Sequence, residues 1–151
     1  MAEAVEARLR ALEDRAAIAD LIASYGPLAD SGDASGVAQL WTEDGVYAVD
    51  GFPEARGHDA IAALITGPVH QALMARGCAH LLGSPVIALA GDRAMARCHS
   101  VVLAKAGEAW EPLRVAANRW ELVRTPHGWR ISRRDNALLD GREAAQALFA
   151  R

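Results

Sequence analysis

The sequence predicts one α+β domain: a long N-terminal helix, shorter helices after it, and a curved antiparallel sheet wrapped around the first helix. Two patterns and one length predict it. Apolar residues recur at three- and four-residue steps from Val5 to Ala29, which is helical spacing. After Gly77 the chain becomes rich in Val, Leu, Ile and Trp, divided by turn signals. The 151 residues supply one core, at about 150 residues per domain, so residues 1–151 are read as a single domain.

The elements follow in order. Residues 5–30 read as a helix through Val5, Leu9, Leu12, Ala16, Ile18, Leu21, Ile22, Tyr25, Leu28 and Ala29. Gly26-Pro27 predicts a kink or restart, because proline removes a donor and crowds the preceding turn. Asp33 or Ser35 caps a short helix containing Val37, Leu40 and Trp41. A short strand covers Val46 to Val49. A further helix follows Gly57 and continues, broken at Gly67-Pro68, to Ala75. Segments 78–90, 93–105, 112–125 and 128–139 read as an antiparallel meander, and 141–151 as a terminal helix. A two-residue turn at Gly91-Asp92 pairs residue 90 with 93. Carried down the strand, that register sets 80 opposite 103 and 78 opposite 105. It turns His80 and His99 to one side of the sheet.

Composition narrows the function. Lys and Arg number 16 against 19 Asp and Glu, a net charge of −3, and only Arg130, Arg133 and Arg134 cluster. Nucleic acid is excluded as the expected partner. No apolar stretch approaches the ~20 residues of a membrane span, and the N-terminus is charged and amphipathic, unlike a signal peptide. The expected location is the cytoplasm. Cys78 and Cys98 have no CxxC spacing and no surrounding Cys/His cluster, so reduced thiols and no metal centre are expected. The chain carries no GxGxxG, no phosphate-binding GxxxxGK, no GxSxG and no HExxH. These absences argue against nucleotide cofactors, phosphoryl transfer and serine hydrolysis. A curved sheet around a helix encloses a pocket for a small ligand. The ionisable and polar groups placed to line it are Tyr25, Asp30, Tyr47, His80, His99, Asn118, Arg133 and Arg134.

The segments "LEDRAAIADLIASYGPLADSGD", "LWTEDGVY", "RGHDAIAALI", "CAHLLGSPVIALAGDRAMARCHS" and "ANRWELVRTPHGWRISRR" resemble the SnoaL-like branch of the nuclear transport factor 2-like superfamily. The resemblance runs from about Leu12 to Arg134. It implies a cone-like, cystatin-like fold and a small cyclic, largely apolar substrate. The superfamily includes scytalone dehydratase, bile acid 7α-dehydratase, hexachlorocyclohexane dehydrochlorinase, ketosteroid isomerase, polyketide cyclases and many non-enzymatic binding proteins. By resemblance, Asp30 at the end of the first helix pairs with His80 early in the sheet. Tyr25 takes a tyrosine position five residues before the Asp, and Cys78 a cysteine position two before the His. Arg134, ahead of Arg133, takes the pocket arginine, and His99 a second pocket histidine.

The chemistry of that set is coherent. An Asp that accepts the Nδ1 proton of a His leaves Nε2 as a base and stabilises the imidazolium. Such a base suits removal of a proton beside a carbonyl. Tyr25 polarises the carbonyl or protonates the leaving oxygen, and Arg134 holds an anion or enolate. Tyr47, His99 and Asn118 complete the expected binding wall, and no cofactor is required. The leading reading is a cofactor-independent lyase of the dehydratase type. An isomerase or ring-closing cyclase uses the same base without loss of water, and a non-catalytic binding protein uses none of it. His58, His70 and His127 read as structural or helix-face and turn residues. Apolar residues on the outer sheet face, Val101-Val102-Leu103 and Trp120, predict a homodimer or homotrimer.

Overall fold

A computed structural model describes residues 1–150; Arg151, the end of the predicted terminal helix, lies outside them. Helix α1 spans Ala2–Asp30, α2 Ala34–Ala38, α3 Gly57–Thr66, α4 Pro68–Arg76 and α5 Glu143–Ala147. The strands are β1 Trp41–Val49, β2 Ala55–Arg56, β3 Cys78–Leu82, β4 Val86–Ala90, β5 Arg93–Ala106, β6 Ala109–Thr125 and β7 Gly128–Leu138. The architecture is α+β, as the sequence predicts. The sheet, however, is mixed rather than purely antiparallel. Its order is β2-β1-β7-β6-β5-β3, with β4 also on β5, and β1 runs parallel to β7. That parallel pair joins the first and last strands of the sheet, so short turn signals in sequence could not announce it.

Helix α1 is continuous, and the expected break at Gly26-Pro27 does not occur. Pro27 removes the N–H that Ala23 would accept, but both residues lie on the exposed side, where water serves the carbonyl. Only the second half of α1 is sheathed. Ile18, Ile22, Tyr25 and Ala29 are buried, whereas Val5, Leu9 and Leu12 are exposed. Asp33 caps α2, its Oδ1 accepting from the Gly36 N–H at 2.8 Å. Trp41, expected in that helix, instead opens β1. Its ring is buried and its Nε1 donates to the Val46 carbonyl at 3.0 Å across an irregularity in the strand. Gly67-Pro68 does divide α3 from α4, with proline in the first turn of the second helix.

The predicted strand 78–90 is two strands. Ala90 pairs with Arg93 as the hairpin turn requires, but the break at residues 83–85 shifts β3 by one. Gly83 N–H bonds the His99 carbonyl at 2.9 Å, and Pro85 has no N–H to offer a ladder. His80 therefore faces Val102, not Leu103, and Cys78 faces Ala104, not Lys105. A one-residue slip inverts every side chain. His99 consequently lies on the opposite face from His80, exposed and packed 4.7 Å from the Phe149 ring. The expected shared face of the two histidines is thus corrected. Trp120 is corrected as well: it is fully buried between sheet and helices, not on the outer face.

Residues directly opposite across strands share a face, so the concave wall can be read in rows. One row runs Tyr47–Arg134–Trp120–Ala96, the next Val49–Asn136–Asn118–Cys98. A third runs His80–Val102–Arg114. Helix α1 lies across this wall, and its nearest approach is at Gly26. A Cβ there would sit 2.2 Å from the His80 carbonyl oxygen, a backbone atom. Gly26→Ala is therefore expected to destabilise the fold by about 1–3 kcal/mol or more, by overpacking. A urea midpoint unchanged from wild type would contradict that close contact.

Candidate active site

Asp30 is the last residue of α1 and His80 the middle residue of β3. The Asp30 carboxylate takes two hydrogen bonds from one residue. Oδ2 accepts the His80 backbone N–H at 2.9 Å, and Oδ1 accepts Nδ1–H at 2.6 Å. A carboxylate only accepts, so Nδ1 carries the proton and Nε2 keeps its lone pair. Burial pulls the His80 imidazole below its ordinary value; Asp30 opposes this without offsetting it, and His70 and Arg134 add to the depression. The ring is thus a neutral base aimed from a carboxylate anchor.

The Cys78 thiol also donates to Asp30 Oδ1, at 3.6 Å. Burial, then the neighbouring Asp30 charge, push this thiol up to about 11. Donor atoms of Asp30, Cys78 and His80 lie within 4.8 Å of one another. A cation there would have to displace the protons on Nδ1 and Sγ that now bind Asp30. The donor set fits a hydrogen-bonded dyad better than a metal centre.

A cavity of about 410 Å³ opens beside the dyad. Leu64, Ile65, Leu73, Leu82 and Val102 give it apolar walls, and Tyr25, Tyr47, His80 and Arg134 its polar groups. Tyr25 is buried, and burial raises its hydroxyl well above the usual phenol, so it stays a proton donor. Its hydroxyl lies 3.5 Å from that of Tyr47. Arg134 is 2% exposed and sits among aromatic rings, 4.1 Å from Trp120, 4.3 Å from Tyr25 and 4.6 Å from Tyr47. Tyr47 and Trp120 are its direct neighbours on the two adjoining strands, so sheet register places two of the three rings and α1 brings Tyr25 as the third. Its Nε and Nη2 donate to Asn118 Oδ1 at 3.0 and 2.8 Å. Its Nη1 is buried with no partner among the described residues. An orphaned donor costs about 1–3 kcal/mol, and a ligand oxygen would satisfy it.

Most of the sequence-predicted set converges here. Tyr25, Tyr47, His80 and Arg134 line one cavity, with Asp30 behind His80. Arg133 points elsewhere, paired with Asp135 and Glu54. Two positions are corrected. His99 is on the far face, and Asn118 does not line the cavity but holds Arg134 from behind. Four polar lining residues escaped the sequence reading. His70 is buried on α4, its Nε2 2.7 Å from the Ala29 carbonyl and its ring 5.4 Å from that of His80. Ser100, Asn136 and Arg114 line the same wall. Strand alternation two residues past Arg134 is the signal that could have found Asn136; nothing local marks His70 as a cavity residue.

A family model for the SnoaL-like domain matches residues 10–135. The chain belongs to the SnoaL-like family. That family includes polyketide cyclases and ring-modifying enzymes. Among solved structures, this SnoaL-like domain is 58% identical to a nuclear transport factor 2-like protein with a cystatin-like fold from Novosphingobium aromaticivorans. That match covers 97% of this chain and 96% of the other, with a TM-score of 0.96. A Mycobacterium tuberculosis protein of unknown function is 25% identical over 89% of this chain and 75% of its own, TM-score 0.75. ActVI-ORFA from Streptomyces coelicolor shares the fold at 21% identity, TM-score 0.70, over 82% and 96%. No match was found among curated proteins.

The state of Cys78 can be tested directly. At pH 8 a thiol near 11 is almost wholly protonated, so Cys78 should alkylate far more slowly in the folded SnoaL-like domain than after unfolding. Both cysteines are free, so two thiols should titrate in denaturant without reductant. A rapidly reacting native thiol at position 78 would contradict the geometry.

Proposed function

We propose that this SnoaL-like domain is a cofactor-independent dehydratase acting on a small cyclic ketone with a hydroxyl at the β-carbon. The carrying observation is the neutral His80 base, fixed by Asp30 at the edge of an apolar cavity that also holds an unpartnered Arg134 donor. His80 Nε2 removes the proton beside the carbonyl; the C–H electron pair forms the enolate C=C bond and the carbonyl π pair moves onto oxygen. Arg134 Nη1 and the Tyr25 hydroxyl stabilise that enolate oxygen. The enolate then re-forms the carbonyl and expels the β-hydroxyl. The proton held on His80 passes to the departing oxygen, which leaves as water, and the base is regenerated. Asp30 stabilises the imidazolium between the two transfers.

His80→Ala should lower kcat by about 10²–10⁴-fold on cyclic β-hydroxy ketones or their phenolic precursors. Asp30→Asn should be similarly severe, and the double variant little worse than either, because the two side chains act as a unit. The pH profile tests the environment of the same ring. A depressed imidazole stays unprotonated to lower pH, so the acid limb of kcat/KM should fall below pH 6.5. Near-normal turnover in both single variants would overturn the dyad. Conversion without loss of water would replace dehydration by isomerisation or ring closure. Ring binding with no conversion would leave a binding protein.

Assembly belongs to the same reading. Val5, Leu9 and Leu12 form an uncovered apolar stripe on α1, and Leu81 and Val115 flank Val101 on the outer sheet. No helix among the described residues is long and apolar enough to cross a membrane. These surfaces fit a homodimer or homotrimer. Light scattering at micromolar concentration should give a mass well above the 16.0 kDa protomer; a monomer would refute the assembly.

A further inference from the structure

The cavity lining holds two arginines, Arg114 and Arg134, and no aspartate or glutamate. Asp30 lies outside the lining, bound to His80, and the Asp50 carboxylate is taken by Arg142 and the Leu138 N–H. The two guanidiniums are held by amides. Arg134 donates to Asn118 Oδ1, which also accepts Asn136 Nδ2 at 2.9 Å. Asn136 Oδ1 in turn accepts Arg114 Nε at 3.1 Å and Nη2 at 2.8 Å. Ser100 Oγ accepts the Asn118 amide at 2.8 Å and closes the chain. Amide oxygens orient a guanidinium without cancelling its charge, as a carboxylate would. Arg114 also donates to the Asp50 backbone carbonyl at 3.0 Å, again a neutral acceptor. Among the described residues neither arginine has a carboxylate within ion-pair distance.

One cation suffices for the enolate that the proposed dehydration forms. Arg134, deepest and orphaned at Nη1, has that place. Arg114 is only partly buried, beside the exposed Leu113 at the rim. It shares a cross-strand row with His80, separated by Val102. Two strand spacings are about 10 Å, roughly the length of two fused rings. We propose that the ligand carries a carboxylate, seated on Arg114, with its ring system spanning the apolar wall between Arg114 and His80. The inference rests on the dehydratase reading for the place of Arg134, but the anion seat stands on charge and hydrogen bonding alone. Elimination would then leave an unsaturated cyclic acid.

Equilibrium binding separates the two ideas, because it needs no turnover. 2-Naphthoate and its methyl ester, titrated calorimetrically against the whole protein at low salt, serve as probes. The acid should bind about 10–100-fold more tightly than the ester, the worth of a charge-assisted hydrogen bond. Arg114→Gln should erase that preference while ester affinity changes by less than about twofold. Arg114→Lys should keep part of it. Should Arg114→Gln fail to fold, Asn136→Asp, which sets a carboxylate against the guanidinium, should also abolish the preference. Equal affinity for acid and ester in the wild type, or a preference that survives Arg114→Gln, would overturn the proposal. Acid preference without any dehydration would leave the anion seat standing and remove the dehydratase; dehydration of esters as fast as acids would do the reverse.

Discussion

Helix α1 lies against the backbone of strand β3 at a point where the helix has no side chain. Gly26 provides that place, with the His80 carbonyl where a methyl group would otherwise stand. Four residues on, one helical turn, Asp30 reaches the same strand and takes both the backbone N–H and the ring Nδ1–H of His80. The contact therefore fixes three things together: the depth of the helix in the sheet, the rotation of the imidazole and its tautomer. Tyr25, one residue before the glycine, is carried into the cavity by the same approach, with its ring edge-on to His80. A bulkier residue at 26 would lift the helix and separate Asp30, His80 and Tyr25 at once.

The opposite wall solves a different problem, that of holding positive charge in an apolar space. Burying a guanidinium is costly unless its donors are satisfied. Here three aromatic faces and a chain of neutral amides offset that cost for all but the Nη1 donor of Arg134, and they support the cation while leaving its field intact. The two walls are electrically complementary to a reaction that creates negative charge between them. In the proposed dehydration a proton would leave toward His80 while charge collected near Arg134.

Much of this was legible in the sequence. The helical stripe through Ile18, Ile22, Tyr25 and Ala29 and the turn signals after Gly77 announce the α+β fold, because local periodicity and glycine conformations are chain properties. The resemblance added Asp30, His80 and Arg134 as a set. The Pro27 break failed for a physical reason: the disrupted carbonyl faces water, and packing of the buried half of α1 outweighs a local preference. His99 failed because register accumulates along a strand, and the irregularity at Gly83-Ser84-Pro85 shifts it by one residue.

The sequence by itself determined which residues are available, the run of helices followed by strands, and the alternation that puts Arg134 and Asn136 on one face. Only the tertiary structure decided what lies across from them. The parallel pairing of β1 with β7 stacks Tyr47 on Arg134, joining residues far apart in the chain. The packing of α4 against α1 brings His70 to the Ala29 carbonyl and beside His80. Register between β5 and β6 sets Arg114 in line with His80. Each of these depends on long-range pairing that no local pattern encodes, since the free energy that selects it is released only when the whole sheet closes around the helix.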